Sequence, residues 1–523
     1  MSSKELPTTK AATLAIGAVL LLALSFVYSN YRAQRPDDTI SLSPTEMSER
    51  VTELLRSLGF RDRPAERWSE YRFEQAGEGK QVVRFVERQS LDHFDTVIDG
   101  AKIVPVSALA TGERRVVLDS NGRLVELAVR FPKTYDSSEP AAKFDWNVAF
   151  TAAGLELATF TPIDTSWTPS AAADTYSAWT GKSPDDSSVS LRVEASTFRG
   201  QLTNFLIVYP WYEPDQHRPA ATTTSDRVLI AFSLVAFAVI VFFVLRLVWT
   251  HTAEPSSNTR PAYFLAVVTF VPILIGLIST TPQVAAFDPL LERLTLSVLI
   301  ALAGAMLVWL VYMSSASLIS TSHKELFSSW KNTSSKYLFS RIVGNDVLYG
   351  LFAGAFIAVN IATRPMFSGR STDLSDNIGP LVLSPFGATF LDIGWAVLAA
   401  VVVFGAFAML LWIVRMRSIA GITLFALLSF IGWLYLKPDD TELVVLFIVS
   451  GVSSIVVARF GLLSMVIAAI VAVTTVNAML VMLATNSATI PIALALGAAG
   501  SLLIIGVMFS LKGQIAKSLN GQA

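Results

Sequence analysis

Residues 388–414 read ATFLDIGWAVLAAVVVFGAFAMLLWIV, twenty-seven positions with one charged side chain, Asp392, among them. At 1.5 Å per residue such a run outspans the roughly 30 Å of hydrocarbon in a bilayer. Eight more runs of similar character fill the second half of the chain: Val228–Trp249, Ala262–Thr280, Arg293–Met313, Val347–Thr363, Ile419–Leu436, Leu443–Ala458, Phe460–Ala484 and Ile490–Leu511. A tenth, Ala11–Tyr28, follows Lys4 and Lys10. It has the outline of a signal peptide, but the following Ser29-Asn30-Tyr31-Arg32 offers no small-x-small cleavage site, which favours a retained anchor.

Composition agrees. Of 523 residues, 52% are hydrophobic and 15% charged, where soluble domains carry nearer a quarter charged. The net charge of −1 and the lack of a basic stripe interleaved with aromatics set nucleic-acid binding aside. Cysteine is absent, which removes disulfides, thiolate metal sites and cysteine nucleophiles from consideration.

Ten spans place both termini on one side. With that side cytoplasmic, Lys4, Lys10, Arg246, Arg260, Lys324, Lys331, Lys336, Arg341, Arg415, Arg417, Arg459, Lys512 and Lys517 are inside, against Arg364, Arg370 and Lys437 in short outer loops. The inward bias of lysine and arginine supports this orientation in a bacterial inner membrane. The expected division is a cytoplasmic N-terminus and anchor helix over 1–31, an extracytoplasmic domain over 32–227, a nine-helix membrane domain over 228–511 and a cytoplasmic tail over 512–523.

The extracytoplasmic part reads as α+β. Ser43-Pro44-Thr45-Glu46 is a capping box with proline at the first helical position, opening a helix that ends at Gly59. Strand alternation follows in Gln81–Glu87, and Ser120-Asn121-Gly122 predicts a hairpin between Arg115–Leu118 and Leu124–Phe131. The order then recurs. A helix over Lys143–Leu157 precedes an extended aromatic stretch (Trp167, Tyr176, Trp179) and strands at Val189–Ala195 and Phe205–Tyr209, with Trp68, Tyr71 and Phe73 as the earlier counterpart of the aromatics. Two helix-then-sheet repeats resemble the small α+β folds of PepSY-type extracytoplasmic domains.

Candidate sites are few. Asp92-His93-x-Asp95 sets a histidine between two carboxylates, which suits half of a metal site or a polar loop. Trp146, Trp167, Trp179 and Trp211 suit a ligand groove or a core. Asp392, Asn360 and Asn477 form a candidate polar site in the membrane, and Pro272 a candidate helix break. Asp392 also reads as interfacial, the two asparagines as interhelical hydrogen-bond formers, and Gly350-x-x-x-Gly354 as a close helix contact. The histidines (His93, His217, His251, His323) all lie outside the apolar runs. Ser314–Gly344 suits either a helix on the inner leaflet or a basic connector.

The segment His323-Lys324-Glu325-Leu326 to Tyr337-Leu338-Phe339, leading into Val347–Thr363, and the sequence Arg459-Phe460-Gly461-Leu462-Leu463 resemble the CPBP (CAAX-protease and bacteriocin-processing) family of intramembrane metalloproteases. The resemblance lies mainly in architecture. That family uses Glu-Glu-x-x-x-Arg, Phe-x-x-x-His and His-x-x-x-Asn/Asp helices to hold a metal and activate water. Here no Glu-Glu pair exists, Val402-Val403-Phe404 stand where it is expected, and Ile470 and Thr474 stand at the last histidine and its partner. The resemblance therefore implies a member without catalytic, metal or cofactor residues. The expected role is a non-enzymatic scaffold or regulator with a ligand- or partner-binding outer domain, its partners the lipid bilayer and another membrane or extracytoplasmic protein. A transporter or export component, and an intramembrane CAAX-type protease with an unconventional site, are the alternatives.

Overall fold

A computed structural model describes residues 8–32, 40, 42–75, 81–99, 102–106, 108–131, 143–168, 172–212, 259–280, 283–284, 287–319, 326, 341–362, 381, 383–436, 440–484 and 489–520. Helix α1 (Thr8–Arg32) comes first, then a helix-and-sheet region, then a set of apolar helices.

The helix-and-sheet region opens with α2 (Pro44–Ser57), whose start and stop are both written in the sequence. Ser43 accepts the Glu46 N–H while the Glu46 carboxylate accepts the Ser43 N–H, so the capping box is complete. At the other end Gly59 takes a left-handed φ of 96°, which lets Phe60 N–H reach the Leu55 carbonyl and Gly59 N–H the Arg56 carbonyl. Met47, Val51, Leu54 and Leu55 form its buried face.

Strands β1 (Glu66–Gln75), β2 (Gln81–Ser90), β5 (Glu113–Asp119) and β6 (Leu124–Val129) form one antiparallel meander. A small hairpin, β3 (Thr96–Asp99) with β4 (Lys102–Pro105), is inserted between β2 and β5. Helix α3 (Trp146–Ala152) and a short 3-10 turn at Leu157–Thr159 precede a second meander: β7 (Thr161–Ile163), β8 (Thr175–Lys182), β9 (Ser190–Phe198) and β10 (Gln201–Val208). The two meanders join through their last strands, β6 beside β10, so the strand order is palindromic about that pair. The far edge, β7, is three residues long and contains Pro162, which lacks the N–H an added strand would need.

The predicted hairpin at Asn121-Gly122 is present. Asp119 accepts the Asn121 and Arg123 N–H groups at 3.0 and 2.8 Å, and Gly122 has φ 76°. The helix expected over Lys143–Leu157 is only the seven residues of α3. Asp145 caps its start through the Asn147 N–H, and Gly154 at φ 67° stops it. Trp68, Tyr71 and Phe73 lie within β1 rather than before the first strands. The β9–β10 turn is Arg199-Gly200, both at positive φ, a hairpin without the Asn-Gly signature.

The remaining helices are α4 (Arg260–Thr280), α5 (Phe287–Ile319), α6 (Arg341–Ala362), α7 (Pro385–Val414), α8 (Arg417–Leu436), α9 (Asp440–Phe460), α10 (Leu462–Ala484) and α11 (Thr489–Asn520), with a two-residue strand β11 (Gln283–Val284) between α4 and α5. Among the described residues, eight helices are long and apolar enough to cross a membrane, and α11 carries a shorter apolar stretch, Ala495–Ser510. The run Val228–Trp249 lies outside the described residues. Helix α4 continues through Pro272 without interruption, so that proline marks no break.

Helix α6 packs against α1, α10 and α11, and α7 against α4, α5 and α10. Gly350 and Gly354 explain how α6 and α10 come so close. A Cβ at Gly350 would lie 2.6 Å from the Ser464 carbonyl oxygen, and one at Gly354 2.6 Å from that of Ala468. Helix α1 presents buried Ala11, Ala15, Ala18, Leu22 and Ser25 to its neighbours, as an integrated member of the bundle.

Candidate functional site

The sheet and the helices meet at one end of the bundle, and polar side chains fasten the joint. Strand β11 extends the sheet: Val284 pairs with Glu66 and Gln283 with Arg67, so the α4–α5 connection becomes an edge strand beside β1. Two turns into α5, Arg293 donates from Nη2 to Glu66 Oε2 at 2.6 Å. Both partners are buried, the Glu66 side chain at 0% exposure and that of Arg293 at 7%. Glu66 Oε2 also accepts the Phe94 N–H at 2.9 Å, and His93 Nδ1 lies 3.3 Å from Glu66 Oε1.

A second anchor runs through the β3–β4 hairpin. Arg88 pairs with Glu113, both buried, and donates to the carbonyls of Val106 and Ala108. This holds the hairpin against the sheet, and β4 in turn touches α4. Apolar contact completes the joint, since Leu383, just before α7, and Leu480 of α10 pack against the sheet domain's hydrophobic core.

His93 thus sits between two carboxylates, but not the pair its sequence suggests. Its neighbours are Glu66 and Asp92, the latter at 3.4 Å from Nε2. The Asp95 backbone carbonyl instead accepts the Val106 N–H. Among the described residues no group of three or more His, Cys, Asp or Glu side chains is arranged to hold a metal ion. The chemistry agrees, because the Arg293 guanidinium occupies the cationic position beside Glu66. His217, His251 and His323 lie outside the described residues.

The candidate polar membrane residues divide. Asn477 donates to Asp392 Oδ2 at 2.8 Å, joining α10 to α7. Asn360 instead donates to the Phe356 carbonyl of its own helix. The Asp392–Asn477 pair lies about one turn below Leu480, on the side of the bundle that carries the sheet domain.

Compared with protein-family models, curated proteins and solved structures, the chain has no significant match in any of the three. The site is therefore read from its geometry.

Phe404 is fully buried and Val402 is exposed on the bundle surface, while the Thr474 hydroxyl donates to the Ile470 carbonyl one turn back. Trp179 is buried in the sheet domain's core and Trp146 packs partly buried against it, while Trp167 and Trp211 are half-buried. Trp146 and Trp179 meet edge to face at 5.1 Å, and Phe150 meets Trp179 at 5.2 Å. Trp211 stacks on Tyr209. Trp167 borders a shallow, half-open recess with Tyr176, Glu194 and Asn204.

One buried carboxylate has a shifted equilibrium. Glu87 on β2 lies near Ser48 of α2 and accepts from Gln89 at 2.7 Å, and burial raises its pKa above the usual carboxylate value.

Sequence reading missed Glu66 and Arg293. The available signal was an arginine at the mouth of an apolar run, which needs a partner to sit there.

Proposed function

We propose that this chain is a non-enzymatic scaffold or regulator of the bacterial inner membrane, with an extracytoplasmic partner-binding sheet domain seated on a CPBP-like bundle of ten spans. The observation that carries the reading is the Arg293–Glu66 pair together with β11, which couple the sheet domain to the helices at a fixed register. A tethered but independent domain would need neither.

Segregation of the two ends of the bundle supports the orientation. The ends touching the sheet domain are the C-terminal side of α4, the N-terminal sides of α5 and α7, and the C-terminal side of α10. Alternating spans assign every one of these to the outside. At the opposite end, Arg417 of α8 donates to the backbone carbonyls of Ala458 and Arg459 at the end of α9, in keeping with a basic cytoplasmic face. The helix-then-meander order of each half of the sheet supports a PepSY-like duplication.

The Asp392–Asn477 contact gives the transport reading its one observation, a polar link between two helices in the half of the bundle nearer the sheet domain.

In-cell cross-linking from exposed sheet-domain positions, followed by identification of the attached protein, tests the scaffold reading. A reproducible membrane or extracytoplasmic partner is expected. Stoichiometric zinc in the purified protein would overturn the non-enzymatic assignment.

A further inference from the structure

Strand alternation sorts β9 into two faces. Val193 and Ala195 join the hydrophobic core with Phe150 of α3, so Glu194 and Ser196 project from the opposite face. Cross-strand register adds to that face, because Ser196 lies opposite both Tyr176 of β8 and Asn204 of β10. Together with Thr165 and Trp167 from the β7–β8 connection, these side chains line the half-open recess.

Glu194 is its informative member. The side chain is only 5% exposed, and its partners all gather on one oxygen. Oε1 accepts from the Ser166 N–H at 3.2 Å, the Ser166 hydroxyl at 3.4 Å and Arg192 Nε at 2.7 Å, with Arg192 Nη2 at 2.6 Å. Among the described residues nothing donates to Oε2, which still reaches solvent. The Asn204 amide and the Trp167 indole N–H likewise have no hydrogen-bond partner among the described residues. Polar groups this deeply placed are normally paired, so an acceptor left over in an open recess marks a place for an incoming donor.

Charge decides which donor. Arg192 already balances Glu194, and no other ionised side chain lines the recess, which favours a neutral ligand over an ammonium group. A carboxylate oxygen that accepts, beside an amide that both donates and accepts, suits hydroxyl groups. The rings suit a flat apolar surface. Trp167 is braced by Tyr212, with ring centroids 5.6 Å apart, and the Tyr176 hydroxyl is tied to the Ala173 carbonyl. A ring with hydroxyls at its edge and C–H groups on its face is a pyranose. Because the recess is shallow, it takes one ring of a longer chain and does not engulf a small molecule.

We propose that this recess binds one pyranose ring of a neutral glycan, with a sugar hydroxyl donating to Glu194 Oε2, a second pairing with Asn204, and the C–H face lying on Trp167. The inference goes beyond the scaffold reading and rests on it only for the sugar being met outside the cell; the purified protein binds whichever way the domain faces.

Saturation-transfer NMR of the full-length protein in a polyoxyethylene detergent, which unlike a maltoside carries no sugar, tests this with chitotriose, cellotriose and maltotriose as probes. At least one is expected to bind. Trp167→Ala and Asn204→Leu should each weaken it about tenfold, the scale of one aromatic contact or one hydrogen bond. In Glu194→Gln, Arg192 and Ser166 hold the amide oxygen at the Oε1 position, so the amide nitrogen replaces the free acceptor and binding should fall at least as far. Trp211→Ala, outside the recess, should leave binding unchanged. Failure of all three sugars to bind at millimolar concentration, undiminished binding in Trp167→Ala and Glu194→Gln, or binding of tetramethylammonium in place of the sugars would overturn the proposal. A protein partner cross-linked to the sheet domain with none of these sugars bound would refute this inference and leave the scaffold reading standing.

Discussion

Removing the Arg293 guanidinium by Arg293→Met leaves Glu66 buried with its charge uncompensated. The Glu66 side chain is fully shielded from solvent, and its remaining partners are one backbone N–H and the His93 ring. Breaking a buried pair from one side costs about 3–5 kcal/mol. The retained Phe94 N–H places this case near the lower end, at about 3 kcal/mol. Glu66→Gln keeps the shape but strands the Arg293 charge, with a similar expected loss. In the double variant neither charge is left alone, so a coupling of about 2 kcal/mol should appear in the cycle. Urea unfolding followed by tryptophan fluorescence reads the sheet domain, where Trp68, Trp146, Trp167, Trp179 and Trp211 reside, while detergent preserves the helices. Single-variant losses below about 1 kcal/mol, the value of a solvent-exposed pair, with no coupling, would refute the buried joint.

Other consequences are equally direct. Gly350→Val should lower the melting temperature sharply in a detergent thermal scan, because its side chain would meet the Ser464 carbonyl and Ile467; overpacking of this kind costs about 1–3 kcal/mol or more. Asn477→Leu removes the donor to Asp392 and should cost about 1 kcal/mol, the usual scale of an interhelical hydrogen bond, measured by steric-trap or detergent unfolding. Glu87→Gln tests pH dependence. Burial raises the Glu87 pKa in the folded state, so the wild-type domain is favoured below the unfolded-state value and loses stability as pH rises through the folded-state value. The variant lacks that loss, and its urea midpoint should overtake the wild type between acidic and alkaline buffer.

The helices were largely legible in the sequence because span length is a property of the solvent: a bilayer accepts only long apolar runs, and each described run became a helix, most within four residues of the expected bounds, whereas α5 extends six residues further at both ends, α6 starts six earlier and α11 continues nine past Leu511. Local punctuation was equally readable in Ser43, Glu46, Gly59 and Asn121-Gly122, whose backbone roles depend on immediate neighbours. What could not be read was pairing across distance. Glu66 and Arg293 are separated by 227 positions, and only the fold brings them together. Asp92-His93-x-Asp95 misdirected for the same reason, since the second carboxylate on His93 comes from β1. Lys143–Leu157 overran because a helical apolar pattern says nothing of the Asp145 cap and Gly154 stop within it. Of the membrane candidates, Asn477, expected as an interhelical hydrogen-bond former, donates to Asp392, whose position in the sequence suggested an interfacial carboxylate and not a partner across helices.

Absence of native cysteine makes the decisive measurement clean. Single cysteines at Glu49, on the exposed face of α2, and at Met416, in the exposed turn between α7 and α8, report the two ends of the molecule. In intact cells a membrane-impermeant thiol reagent should label Glu49→Cys and spare Met416→Cys until the membrane is opened. Labelling of both from outside, or of Met416→Cys alone, would contradict a sheet domain seated outside on a bundle whose basic end faces the cytoplasm.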